Sequence, residues 1–174
     1  MANEIHGSCH CGNLTYRLLT EVPLSEIRSR ACDCGFCRIH AARNWSDPEG
    51  SVTIDVADAR ALSRYRFALR TADFFVCRVC GAYLGAVLIE NDDAWSTVNL
   101  RLSELTADEQ PASYGAEDEA QRVARRKRTW TPTKIRFRDS DRHADWRAGR
   151  SAGSLERRVE REHSRQIFHL IGAA

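Results

Sequence analysis

The stretch "CDCGFC", Cys32 to Cys37, decides how the chain is read. It places Cys32, Cys34 and Cys37 near enough along the chain for their sulfurs to reach one ion. A structural zinc takes four protein ligands, and this cluster offers three. Outward from it lie Cys9-x-Cys11, followed by Gly12, and Cys77-x-x-Cys80, followed by Gly81, so all 7 cysteines fall into tight groups. A disulfide framework has no need of such spacing, and an odd count leaves a thiol over. Metal ligation does need it, because two thiolates on one turn converge on a single ion.

Four plus three is the natural division. Cys77-x-x-Cys80-Gly81 has the form of a zinc knuckle, with Gly81 free to take a positive φ after the second thiolate. Cys9-x-Cys11-Gly12 is a tighter version. Together Cys9, Cys11, Cys77 and Cys80 make a closed structural zinc site that pins the N-terminal segment to the middle of the chain and contributes directly to folding. Cys32, Cys34 and Cys37 remain. A tetrahedral zinc with three protein ligands keeps one position for water or substrate, which is the arrangement of catalytic sites. The competing reading is a second closed site, completed by His10, His40 or another side chain. Three thiolates make zinc a weaker Lewis acid than three histidines do, and better suited to holding a substrate thiol as thiolate than to ionising water.

The chain has 174 residues and 43 % hydrophobic content, enough for one domain with a core. Its 26 basic and 24 acidic residues give a net charge of +2, so neither nucleic acid nor an anionic membrane is an expected partner. The first residues, "MANEIHGSCHCG", do not read as a signal peptide, and "GAYLGAVLI" is too short to cross a bilayer. A soluble, cytoplasmic protein is the expectation.

Alternating apolar residues mark strands at 13–19, where Leu14, Tyr16 and Leu18 alternate with Thr15 and Arg17, and at 51–56 after the "DPEG" turn. Further strands are expected at 62–67, 83–90 and 96–102. Residues 102–110 read as a strand end passing into a helical turn capped by Thr106. The charged run 117–128 reads as a short helix and 129–139 as a last strand with Ile135 and Phe137 inward. The fold class is therefore mainly β, with antiparallel sheets and no βαβ units. Residues 1–138 form the zinc domain. Residues 139–174 form a charged extension, helical from about 154, where Ser154 caps an amphipathic pattern.

"GSCHCG", "CDCGFCR", "FFVCRVCGAYLG" and "VNLRLSEL" together resemble the glutathione-dependent formaldehyde-activating family, which includes the centromere protein V type domain. The resemblance spans roughly residues 5–105 and uses every cysteine. It implies the Mss-four-like fold, antiparallel β-sheets around two zinc ions per chain. It places Cys9, Cys11, Cys77 and Cys80 on the structural zinc and Cys32, Cys34 and Cys37 on the catalytic zinc. The activity it implies is that of a carbon–sulfur lyase joining a thiol and an aldehyde, in the namesake glutathione and formaldehyde.

The leading expectation is thus a zinc-dependent carbon–sulfur lyase acting on an aldehyde–thiol adduct, similar to S-hydroxymethylglutathione, or on a related small carbonyl compound. Glutathione is one candidate thiol. Arg38, beside Cys37, is a candidate for attracting a substrate carboxylate, against the plainer reading of a surface arginine. His10 and His40 read first as solvent-facing or supporting histidines, and Trp45, Trp95, Trp130 and Trp146 as packing residues. The alternative function is a non-catalytic, zinc-stapled binding module working through the basic patch 122–128 and the C-terminal helix. That helix is also a candidate surface for homo-oligomerisation.

Overall fold

The computed structural model of the protein describes residues 2–138. The helix expected from about 154, with its part in self-association, and Trp146 lie outside the described residues.

The alternation at Leu14, Tyr16 and Leu18 does produce a strand. In β2 (Leu14–Thr20) these three side chains are buried, while Arg17 between them is exposed. β1 (Asn3–Ser8) pairs with it antiparallel, and its short apolar content, Ile5 alone among polar residues, explains why it was not legible. β5 (Ser51–Val56) lies on the other side of β2 and buries Val52, Ile54 and Val56 by the same period of two. β8 (Tyr83–Glu90) is buried at six successive positions, so it reads as a continuous apolar run instead of an alternating one. It lies between β7 (Asp73–Cys77) and β9 (Asp93–Asn99), and β6 (Leu62–Tyr65) extends that side through β7.

The remaining elements are β3 (Arg28–Cys32), α1 (Gly35–Ile39), β4 (Asn44–Trp45), β10 (Asp108–Ala112), α2 (Glu119–Thr129) and β11 (Thr131–Phe137). Among the described residues the strands form one mixed sheet in the order β1-β2-β5-β11-β9-β4-β3-β10, with β8 branching from β9. Most pairings are antiparallel, as expected for a mainly β chain. β11 with β5 and β10 with β3 are parallel. Parallel neighbours need long crossover connections, so local pattern gives no sign of them.

Two local expectations are corrected. No helical turn capped by Thr106 forms. Leu100–Leu102 make a short 3-10 turn in which the Arg101 amide donates to the Asn99 side chain and the Leu100 amide to the Arg43 carbonyl, and Thr106 lies in an irregular link. Residues 108–112 are instead β10, an almost wholly exposed strand that carries Pro111 and lies at the end of the sheet order. An edge strand is where a proline is tolerated, and its pairing with β3 comes from tertiary contact. The expected strand at 96–102 begins earlier, at Asp93, and stops at Asn99.

Candidate metal centres

Both outer cysteine groups sit in turns of one design. Cys9 follows β1, its carbonyl accepts from the Gly12 amide at 2.9 Å, and Gly12 takes a φ of 77°. Cys77 ends β7, its carbonyl accepts from the Gly81 amide at 2.8 Å, and Gly81 takes a φ of 74°. Both turns enter the left-handed region, which glycine reaches without the Cβ clash other residues meet. The turns bring the sulfurs of Cys9, Cys11, Cys77 and Cys80 within 4.8 Å of one another. Cys9 and Cys11 sulfurs are 3.7 Å apart, and Cys11 and Cys77 sulfurs 3.4 Å. A tetrahedral ion with metal–sulfur bonds of about 2.3 Å, as zinc has, sets its ligands roughly 3.8 Å apart. The geometry fits such an ion.

The second group is assembled around α1. Cys32 is the last residue of β3, Cys34 caps α1, and Cys37 lies within it. The Cys34 sulfur accepts from the Cys37 amide at 3.4 Å, doing at this helix start what a serine or aspartate commonly does. The three sulfurs lie within 4.8 Å of one another, and among the described residues no histidine, carboxylate or further thiol joins them at that distance. His10 is exposed in the other cysteine turn. His40 lies one turn beyond Cys37, its ring tilted against Phe36 at 4.3 Å.

The protons of this cluster are in conflict. The Cys32 thiol is brought down to about 6, chiefly by its hydrogen bond with Cys37. That same bond, then burial, pushes Cys37 up, and burial pushes Cys34 up. One negative charge is favoured here, and a second beside it is opposed. The other group behaves alike. Burial raises Cys77, whereas for Cys80 burial is outweighed by hydrogen bonds from the Ala82 and Cys11 backbone, and the thiol comes down to about 6. A divalent cation removes that conflict by holding every sulfur as thiolate. Both clusters can therefore hold metal ions, with donor sets consistent with zinc.

Two residues that the sequence did not single out support the second cluster. The Asn44 amide donates to the Cys37 sulfur at 3.6 Å, and the Tyr83 hydroxyl donates to the Asn44 carbonyl oxygen at 3.2 Å. Tyr83 is fully buried, and burial, then the neighbouring Cys37, Cys34 and Cys32, holds its hydroxyl well above the usual phenol range. It therefore stays a donor.

The cluster opens on a cavity of about 590 Å³. Its walls are largely apolar, with Phe67, Leu69, Phe74, Ala86 and Trp130 among them. Rings continue around Phe36, which stacks on Tyr65 and Phe67 at 5.7 and 5.4 Å. Arg30, Arg122, Arg125 and Arg126 also line it, against the carboxylates Asp33 and Glu117. Arg38 is exposed and does not line it.

The basic run 122–128 is mostly engaged. Arg122 and Arg125 both bind Glu117, Lys127 pairs with Glu90, and Arg126 is buried with its guanidinium 4.8 Å over the Trp130 ring. Burial, then the charges of Arg125 and Arg122, lowers the Arg126 guanidinium to about 10. Trp45 is buried as a packing residue, and Trp95 lies under Lys127. Among the described residues no helix is long and apolar enough to cross a membrane.

No family model and no curated protein matches the chain. A crystal structure of a Rhodobacter sphaeroides protein, a structural-genomics target, aligns at 27 % identity over 60 % of this chain and 99 % of its own, with a TM-score of 0.42. A likeness that loose assigns neither fold nor function.

Proposed function

We propose that the protein is a zinc-dependent carbon–sulfur lyase acting on adducts of a thiol with a small aldehyde or related carbonyl compound. The observation that carries the reading is the three-thiol cluster: it has no fourth protein ligand at bonding range among the described residues, and it faces a largely apolar cavity. The other cluster, with four thiols, serves as the structural zinc site. Bound at the three thiolates, zinc supplies a soft centre that favours a substrate sulfur as thiolate.

The chain's own residues do the rest. Asn44 donates to Cys37 and fixes the direction of that ligand, and Tyr83 holds Asn44 in place. The rings of Phe36, Phe67 and Phe74 pack together beside the cluster and exclude water, which strengthens the polar interactions inside. In the lyase direction the carbon–sulfur bond of the adduct breaks and its electron pair leaves on sulfur. The adduct hydroxyl gives up its proton as the carbonyl forms, and the departing thiolate takes up one proton on release. The reverse is the addition of thiolate to aldehyde.

Arg122, Arg125 and Lys127 are held in ion pairs and Arg126 is buried, so the run presents little free surface, which favours this reading over the binding module. The test is exchange between free and thiol-bound formaldehyde, followed by NMR saturation transfer, in wild type and in Cys34→Ser. Exchange above the uncatalysed rate is expected in wild type and none in the variant, with the four-thiol site still loaded. Unchanged exchange in Cys34→Ser would remove the proposal.

A further inference from the structure

Arg126 is a cation held where proteins seldom leave one unpaired. It is 8 % exposed, it lines the cavity, and its Nε has no hydrogen-bond partner. Its Nη1 donates to the Thr71 hydroxyl, a neutral group. Arg30, in the same wall, likewise donates only to hydroxyls, Ser46 at 2.7 Å and Thr97 at 3.1 Å. Among the described residues neither guanidinium is paired with a carboxylate. A buried arginine normally has such a partner, since an isolated charge away from water is strongly disfavoured. Glu117 reaches Arg126 only through its charge, because Arg125 holds its oxygens with two contacts, 2.5 and 2.9 Å, and Arg122 adds a third. Asp33 stands at the thiol end, where its charge is felt by Cys32.

We infer that this end of the cavity is a carboxylate subsite, with Arg126 as its anchor, and that the substrate is a small organic acid with an apolar body and no α-amino group. Two parts of the cavity wall specify the class. Phe67, Leu69, Phe74 and Ala86 fit an aliphatic or aromatic body between the guanidinium and the thiol cluster. An α-ammonium beside the carboxylate would meet Arg122, Arg125 and Arg126 with no free carboxylate at that end. Like charges there oppose binding. The inference rests on the proposed thiol–carbonyl chemistry only for the opposite end of the substrate, a thiol or carbonyl group directed at Cys32, Cys34 and Cys37.

The experiment is titration calorimetry on the full zinc-loaded chain with ω-mercaptoalkanoates of two to five methylene groups. The comparison ligands are their amides, the sulfur-free alkanoates, and cysteine and homocysteine, which add only the α-ammonium to the two shortest acids. At the best chain length the acid should bind roughly ten- to a hundredfold tighter than its amide, the range of one charge-assisted bidentate contact. Cysteine and homocysteine should bind more weakly than their desamino counterparts. In Arg126→Met the preference for acid over amide should vanish, and the variant should melt no lower than wild type, because it loses a buried charge that lacks a partner. Equal binding of sulfur-free and mercapto acids, still dependent on Arg126, would support the subsite while removing the thiol reading of the far end. Equal binding of acid and amide by wild type, a preference surviving in Arg126→Met, tighter binding of the amino acids, or no binding by any acid would each overturn the subsite.

Discussion

Asn44 is the residue through which β4 acts on the second cluster. Its amide donates to the Cys37 sulfur, and a hydrogen bond to a thiolate ligand favours the charged form that binds metal. Asn44→Ala should therefore weaken the metal at Cys32, Cys34 and Cys37 by about 10- to 100-fold, the usual effect of removing such a support. The four-thiol site should be unaffected. Competition with a chelator of known affinity reads both sites, and equal weakening of the two would show general destabilisation instead. The ligands themselves were legible because the chemistry of seven thiols is written in their spacing. Asn44, Tyr83 and Arg126 were not, because an asparagine, a tyrosine and one arginine among many carry no spacing signal. Trp130, read as packing, does pack, in a core with Ala72, Ala86 and Leu88, and its ring also lies under the Arg126 guanidinium in the cavity wall. Arg38 was legible only by adjacency in sequence, and one position along a helix from Cys37 rotates a side chain to another face.

At the scale of elements, α2 shows how a charge run misleads. The charged run 117–128 reads as a short helix, with 122–128 as a basic patch. The helix does form, with a capping box between Asp118 and Gln121, but Val123 and Arg126 turn toward the protein. Glu117, just before the helix, then becomes its clamp. Its hydrogen bonds from Arg125, and the charges and bonds of Arg125 and Arg122 together, hold its carboxyl below the usual glutamate range. A lowered folded pKa stabilises the protein above the unfolded value, about 4.3, and that contribution is lost as pH falls through the folded pKa. Glu117→Gln should therefore lower stability at pH 7 by about 1–2 kcal/mol, allowing for the partial exposure of the pair. The gap should narrow as the pH drops below about 4. Denaturant titrations at pH 7 and in acid measure it, and a gap equally wide in both would refute the clamp. Asp118→Ala should cost about 1 kcal/mol by loss of the cap, read as a lower midpoint in the same titrations. Strands whose burial alternates, such as β2 and β5, were legible almost to the residue. β3 and β10 were not, because each finds its partner in the other, far along the chain, and β1 was not, because Ile5 stands alone among polar residues.

Across the whole molecule, the proposed function gives the two clusters different work. The four-thiol site ties the turn after β1 to the turn after β7, which are 66 residues apart between Cys11 and Cys77. An ion there closes a long loop, so its removal should unfold much of the sheet. The three-thiol site ties together only the end of β3 and the start of α1. Its ion should leave without the fold. The measurement that bears most directly on this division is zinc content per chain by elemental analysis, before and after mild chelation, with circular dichroism on each sample. Two zinc ions are expected at the start. One should be removed readily with the β spectrum intact, and the second only under conditions that unfold the protein. A chain that holds two ions equally resistant to chelation, or that never binds a second ion, would contradict an open catalytic centre at Cys32, Cys34 and Cys37.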